Sequence, residues 1–132
     1  MNTPVIEAHA LIKTFGTTRA LAGVDLAIHR GESVAIMGAS GSGKTTLLHV
    51  LAGITAPDAG SVVFRPAEGA PIEVTALSES ARSRLRRERF GFVFQQGLLI
   101  PELTAVENVA LASMINGVRR QDAVQHAASW LA

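Results

Sequence analysis

The chain has no cysteine among its 132 residues. This absence excludes disulfide bonds, thiolate catalysis and thiolate metal sites, and it suits a reducing compartment. No apolar run approaches the roughly 20 residues that a membrane-spanning helix needs, so a soluble chain is expected. The first residues also lack the basic start and long apolar stretch of a secretory signal, which makes the cytoplasm the expected location.

The chain also lacks an excess of charge of either sign. Twelve basic and eleven acidic residues leave a net charge of +1, too near neutral for the whole-chain field to indicate a nucleic-acid or membrane partner. Residues 82–89 hold five arginines and one glutamate, but no aromatic residues are interleaved with them. That pattern favours a solvated helix face or a contact with a partner subunit, and no nucleic-acid partner is expected.

The hydrophobic share of 48% is ample for a packed core, and the length suits one domain. The apolar periodicity predicts an N-terminal pair of strands in residues 5–12 and 24–28. A buried parallel strand is predicted at Ser33–Met37, followed by a glycine-rich loop and a helix over Thr45–Ala52.

The second half of the chain predicts further elements of both kinds. A capping box, Thr104-x-x-Glu107, marks the start of a helix. The predicted elements are a strand at Ser61–Phe64, a helix at Ser78–Arg89, a buried strand at Phe90–Phe94, a helix from Thr104 to about Met114 and a helix from Gln121 to the end.

The strongest motif lies between the predicted strand at 33–37 and the predicted helix at 45–52. It matches the phosphate-binding pattern G-x-x-x-x-G-K-[ST] in the strand–loop–helix context that this pattern requires. Its glycines allow successive backbone N–H groups to point inward at the N-terminus of the helix, where an anion is favoured. The residues are Gly38, Ala39, Ser40, Gly41, Ser42, Gly43, Lys44 and Thr45.

Two side chains of the motif have predicted roles toward a nucleoside triphosphate. The Lys44 ammonium can lie between the β- and γ-phosphates, and the Thr45 hydroxyl can ligate Mg²⁺ that bridges them. Thr46 is expected to reach the α-phosphate. The loop therefore predicts a nucleotide with Mg²⁺, and by itself it leaves kinases, GTPases and motor ATPases open.

Other segments distinguish among the families that carry such a loop. In order along the chain, these are Lys13-Thr14-Phe15-Gly16, residues 20–26 (ALAGVDL), Gly31-Glu32, the loop with its helix, residues 58–61 (DAGS) and residues 91–95 (GFVFQ). Together they resemble the ATP-binding cassette (ABC) family over nearly the whole chain. Residues 86–95 with LTAVENV at 103–109 most resemble the bacterial lipoprotein-release and macrolide-export branch.

The resemblance implies a fold and two further site residues. The fold class would be α/β, a P-loop NTPase core sheet with antiparallel N-terminal strands in residues 1–96 and the beginning of a helical subdomain in residues 97–132. Phe15 would stack on adenine in place of the commoner tyrosine. Gln95 would complete the Mg²⁺ coordination and sense the γ-phosphate, so that Lys44 and Gln95 are the expected catalytic residues.

The resemblance also implies partners, which are a transmembrane permease subunit and a second nucleotide-binding subunit in a head-to-tail dimer. The location would then be the inner face of the cell membrane. The 132 residues include no LSGGQ-type signature, no apolar strand ending in Asp-Glu and no switch histidine, so the chain alone is expected to bind ATP without normal turnover. Two alternatives are an ABC-type ATPase without a membrane partner and a P-loop kinase that phosphorylates a small molecule.

Overall fold

The computed structural model describes residues 2–132. Its sheet has four strands in the order β2-β1-β3-β4, and neighbouring strands are antiparallel. The strands are β1 (Ile6–Phe15), β2 (Thr18–Ile28), β3 (Ala59–Phe64) and β4 (Ile72–Glu73). The helices are α1 (Lys44–Leu51), α2 (Glu79–Arg89), α3 (Ala105–Ile115) and α4 (Arg120–Leu131), with a 3-10 turn at Val74–Ala76.

The chain divides into two compact units between Arg86 and Arg87. The first unit holds the sheet, α1 and most of α2, and the second holds α3 and α4. Across residues 2–132, no helix is both long and apolar enough to cross a bilayer.

The predicted N-terminal pair of strands is confirmed as a hairpin. Gly16 has a φ of +58° in the two-residue connection between β1 and β2, a left-handed conformation that glycine adopts without a Cβ clash. Leu11 on β1 and Val62 on β3 are fully buried, and Val50 of α1 is buried as deeply. Each such side chain contributes about 1.5–3 kcal/mol by leaving water, so α1 is held through its apolar face.

A bulge interrupts β1 between Ala8 and Leu11. Ala10 has a φ of +47°, and its N–H donates to Asp25 Oδ1 at 2.8 Å. A Cβ on Gly60 would lie 2.5 Å from the His9 carbonyl oxygen and 2.6 Å from that of Ala10. Glycine at position 60 therefore lets β3 approach the bulge closely.

Two predicted strands are wrong in this structure. Ser33–Met37 has no regular secondary structure, and Met37 is 88% exposed. Phe90–Phe94 is likewise irregular, and Val93 is 99% exposed. Every ladder hydrogen bond of a parallel strand goes to a neighbouring strand, and the sheet described in residues 2–132 contains only β1 to β4. Apolar composition alone does not form a strand where no strand lies beside it.

The arginine-rich helix α2 fastens the C-terminal end of α1. The Arg86 guanidinium donates to the Gly53 carbonyl oxygen at 2.5 Å, directly after α1. It also contacts Glu79, whose carboxylate pairs more closely with Arg82 at 2.6 Å. A cation at the carbonyl end of a helix is favoured by the helix dipole. Two arginines of the cluster, Arg82 and Arg86, therefore form contacts within the first unit.

The second unit is a pair of helices joined by a short connection. The capping box of α3 is confirmed in both directions: the Glu107 N–H donates to Thr104 Oγ1, and the Thr104 N–H donates to the Glu107 carboxylate. Small residues separate α3 from α4, which allows their backbones to approach. The buried set is Ala110, Ala123 and Ala127, with Val106 and Val124 packed against it.

Candidate functional site

The glycine-rich loop ends in an uncapped helix. Gly41 and Gly43 have φ values of +78° and +96°, and Gly43 is the N-cap of α1 with no side-chain hydrogen bond. The first-turn N–H groups of a helix have no partner within the helix. Because no side chain caps them here, they remain donors for an anion.

Two glycines of the loop have close contacts, but only at Gly43 does the contact involve backbone and thus require glycine. A Cβ on Gly43 would fall on the Ala20 carbonyl oxygen of β2, and 3.6 Å from Leu21 Cδ2. A Cβ on Gly38 would lie 2.7 Å from Ser42 Oγ. At Gly43, therefore, the hairpin and the loop lie too close to each other for a side chain to fit between them.

The Lys44 ammonium closes over its own loop. Its Nζ donates to the carbonyl oxygens of Gly38 at 2.7 Å and Ala39 at 2.6 Å, and to Ser42 Oγ at 3.3 Å. An ammonium has three donors, so these acceptors satisfy all of them. The positive charge therefore lies at the loop, and a phosphate would bind the ammonium by replacing these oxygen acceptors.

The neighbouring hydroxyls suit a hard cation and a phosphate. Thr45 is exposed in the first turn of α1, and Thr46 is half-buried behind it. Mg²⁺ prefers oxygen ligands and usually binds through one or two protein groups together with substrate phosphates. The glycine cradle, the free helix N-terminus and the Thr45 oxygen thus fit a magnesium-bound polyphosphate.

Phe15 lies at the end of β1 with its ring 52% exposed. Its cross-strand neighbour is Thr18, two residues before the Ala20 carbonyl that contacts the backbone of Gly43. Strand residues rise about 3.3 Å each, so Thr18 and Ala20 are about 7 Å apart along β2. Phe15 therefore lies at the end of the hairpin that is next to the loop. Lys13 Nζ lies 5.3 Å from the ring centroid, within cation–π range.

Asp58 anchors this end of β1, a role that the sequence analysis missed. Its carboxylate accepts from the Thr14 N–H at 2.7 Å and from Lys13 Nζ at 3.3 Å. The hydrogen bond from the Thr14 backbone, aided by Lys13, lowers the pKa of Asp58. The sequence offered a signal in the turn motif that begins at Asp58, but the partner strand lies 44 residues away in the chain.

Gln95 lies in the second unit, whereas Lys44 and Thr45 lie in the first. Gln95 and Gln96 are exposed in an irregular segment between Phe94 and α3. The role of Gln95 as a metal ligand therefore remains a prediction.

Asn108 has a structural role that the sequence analysis did not assign. Its Nδ2 donates to the carbonyl oxygens of Ile100 at 3.1 Å, Leu103 at 3.2 Å and Thr104 at 3.0 Å. Its Oδ1 accepts from the Ile100 N–H at 2.8 Å. The side chain thus fastens the turn that precedes α3, whereas Thr104 and Glu107 form the cap itself.

A comparison with protein families gives the decisive match. The profile of the ABC transporter family matches residues 21–132. The chain belongs to the ABC transporter family. As predicted, it is an ATP-binding component of the ABC type, and the family assignment excludes the small-molecule kinase alternative. The matched range of this ABC chain includes the whole glycine-rich loop, whereas Phe15 lies upstream of it.

Curated relatives of this ABC chain are lipoprotein-releasing system ATP-binding proteins LolD. That of Cytophaga hutchinsonii is 42% identical over 111 residues, covering 84% of this chain and 48% of the relative. That of Xylella fastidiosa is 45% identical over 118 residues, covering 86% and 47%. That of Saccharophagus degradans is 40% identical over 135 residues, covering 99% and 57%. The chain spans about half the length of these relatives.

Solved ABC structures have the same fold. The dimeric post-hydrolysis state of the ATP-binding cassette MJ0796 bound to ADP and Pi has a TM-score of 0.83 and 34% identity, covering 94% of this chain and 54% of that one. A further dimeric structure of MJ0796 has a TM-score of 0.80 and 35% identity, covering 91% of this chain and 53% of that one. The predicted α/β cassette fold is thereby confirmed, although two of the strands predicted from the sequence are irregular in this chain.

Proposed function

We propose that this chain binds MgATP through residues 38–46, with Phe15 stacked on the adenine. The observation that carries the proposal is the uncapped N-terminus of α1 beneath a glycine loop that already holds the Lys44 ammonium. Backbone N–H groups and the ammonium would bind the phosphates, and the exposed ring would bind the base. The MJ0796 cassette, solved with ADP and Pi, supports a nucleotide as the ligand.

Mg²⁺ would be held by the Thr45 hydroxyl and the Gln95 amide oxygen, both of which are hard oxygen donors. When bound, the ion would neutralise charge on the β- and γ-phosphates. Thr45 contributes from the first turn of α1, and Gln95 from the irregular segment before α3. Lys44 would bind the terminal phosphates once its Nζ exchanges the loop carbonyl oxygens for phosphate oxygens.

For the intact protein we propose ATP hydrolysis coupled to transport. The LolD relatives are named as parts of a lipoprotein-releasing system, and the MJ0796 cassette is dimeric. These names favour a transporter subunit over an ABC ATPase that acts without a membrane partner. The proposed partners are a transmembrane permease subunit and a second nucleotide-binding subunit, at the inner face of the cell membrane. The residues present here would supply binding rather than sustained turnover.

Titration calorimetry with ATP and Mg²⁺ tests the binding proposal. Lys44→Ala should lose a charge-assisted contact and bind more weakly by about 1.5–3 kcal/mol. Arg119→Ala is the matched control, because it also removes one positive charge, from a side chain 86% exposed in the second unit. Equal ATP affinity in wild type and Lys44→Ala would refute the proposed site.

A further inference from the structure

The side chain of Asn108 forms hydrogen bonds with one short stretch of backbone. Its amide group makes four hydrogen bonds, all with residues 100–104, between 2.8 and 3.2 Å. The Leu103 N–H also donates to the Ile100 carbonyl oxygen at 3.1 Å, which closes the same turn. Burial contributes little to holding this stretch, because four of its five residues are exposed and only Leu103 is half-buried. The side chain of Asn108 is therefore its principal fastening.

The fastened turn begins just after the proposed metal ligand. Only four residues separate Gln95 from Ile100, so a backbone of fixed length ties the glutamine to the point where Asn108 holds both the N–H and the carbonyl group. On the other side of Gln95, the rings of Phe92 and Phe94 lie 5.0 Å apart. A glutamine on an irregular segment is a better ligand when that segment is already held in place, because ordering a loop on binding costs free energy.

We propose that Asn108 is a positioning residue for Gln95. By fastening the Ile100–Thr104 turn, it limits the conformations of the Gln95 segment to those in which the amide oxygen is available to Mg²⁺. The inference rests on the proposed role of Gln95. It assigns to Asn108 a function distinct from that of Thr104, which caps α3 with its hydroxyl and contributes only a backbone oxygen to the Asn108 contacts.

The test measures the gain in ATP affinity that Mg²⁺ provides, as the ratio of affinities with excess Mg²⁺ and with EDTA, in the 132-residue chain. Gln95→Ala should reduce this gain. Asn108→Ala should reduce it by a smaller factor than Gln95→Ala does, because Asn108 acts through the turn and does not touch the ligand. The double variant should show no larger loss than Gln95→Ala alone. Affinity in EDTA should be the same in all of these variants.

Thr104→Ala is the matched control for simple destabilisation of α3. It removes the capping hydroxyl but leaves the four contacts of Asn108, so the Mg²⁺-dependent gain should stay at the wild-type value. Amide hydrogen exchange at Ile100 provides a second measurement. It should accelerate in Asn108→Ala, which removes the acceptor of that N–H, and much less in Asn108→Asp, which keeps an acceptor oxygen.

The outcomes separate this inference from the proposed function. If Gln95→Ala loses the gain while Asn108→Ala keeps it, or if the two losses add in the double variant, the positioning role is wrong and the function stands. If Gln95→Ala itself keeps the gain, Gln95 is not a ligand, and both the magnesium site and the role of Asn108 fail. Loss of the gain in Thr104→Ala would also overturn the inference, since destabilising α3 would then suffice.

Discussion

The backbone of Gly43 lies directly against the carbonyl oxygen of Ala20, so the N-terminus of α1 and strand β2 share a contact that only glycine permits. The contact explains why the phosphate loop depends on a residue 23 positions upstream. It also places the hairpin that carries Phe15 beside the loop that carries Lys44. Because Gly43 has no side chain, the two parts of the proposed nucleotide site can lie next to each other.

Gly43→Ala should destabilise the first unit more than Gly41→Ala. Both glycines have positive φ, which costs an L-residue about 1–2 kcal/mol. Only at position 43 does the new methyl group meet backbone, and overpacking adds about 1–3 kcal/mol. At Gly41 nothing lies within 4 Å of the added atom. Denaturant titration of both variants measures the difference, and equal losses would mean that the Ala20 contact is unimportant.

Phe15→Ala should weaken ATP binding by about 1–3 kcal/mol, whereas Phe15→Tyr should change it little, because stacking depends on the face of the ring. Calorimetry with ATP and with pyrophosphate distinguishes base stacking from support of the fold. Pyrophosphate has no base, so its affinity should be the same in wild type and Phe15→Ala. A parallel loss for both ligands would place Phe15 in the structure of the hairpin and not on the adenine.

Ala10→Gly should raise the free energy of unfolding by about 1 kcal/mol, because Ala10 pays a left-handed penalty that glycine avoids. Ala27→Gly is the control, on an exposed position of β2, where glycine should instead cost about 0.5–1 kcal/mol. Urea denaturation measures both. A loss of stability in Ala10→Gly would show that the bulge does not impose the strain that its φ indicates.

Asp58→Asn should make the stability of the first unit less sensitive to acid. The Asp58 pKa is lowered in the folded chain by the Thr14 N–H and by Lys13, so its carboxylate contributes stability above the ordinary value of 3.8 and loses that contribution as the pH falls through the folded value. The other lowered carboxylates are unchanged by the substitution. The difference in melting temperature between wild type and Asp58→Asn should therefore shrink as the pH falls below 3.8. A constant difference would exclude the Asp58 carboxylate as the cause.

Elements whose signals are local were predictable from sequence. The hairpin follows from alternation around a glycine turn, and α3 follows from the Thr104 and Glu107 capping pair three residues apart. The glycine loop before α1 is likewise self-contained. In each case the residues that stabilise the element lie within it or directly beside it.

Features that depend on distant partners were not predictable. Ser33–Met37 has the composition of a buried strand, but a strand forms only beside another. The bulge at Ala10 could not be predicted, because no glycine occupies the position with positive φ. The acceptor of its N–H, Asp25, also lies 15 residues further along the chain. The contacts of Asn108 could not be predicted, because the turn that it fastens forms only once the chain is folded.

The exposed apolar segments have a consequence for the chain in solution. Val34, Met37 and Val93 are 41%, 88% and 99% exposed, and they lie in runs rich in the residues that favour extended pairing. Such runs pair readily between molecules when they find no partner within one. Association of this kind is hydrophobic and weakens on cooling. Association between molecules should therefore increase with concentration and decrease on cooling, as light scattering would show.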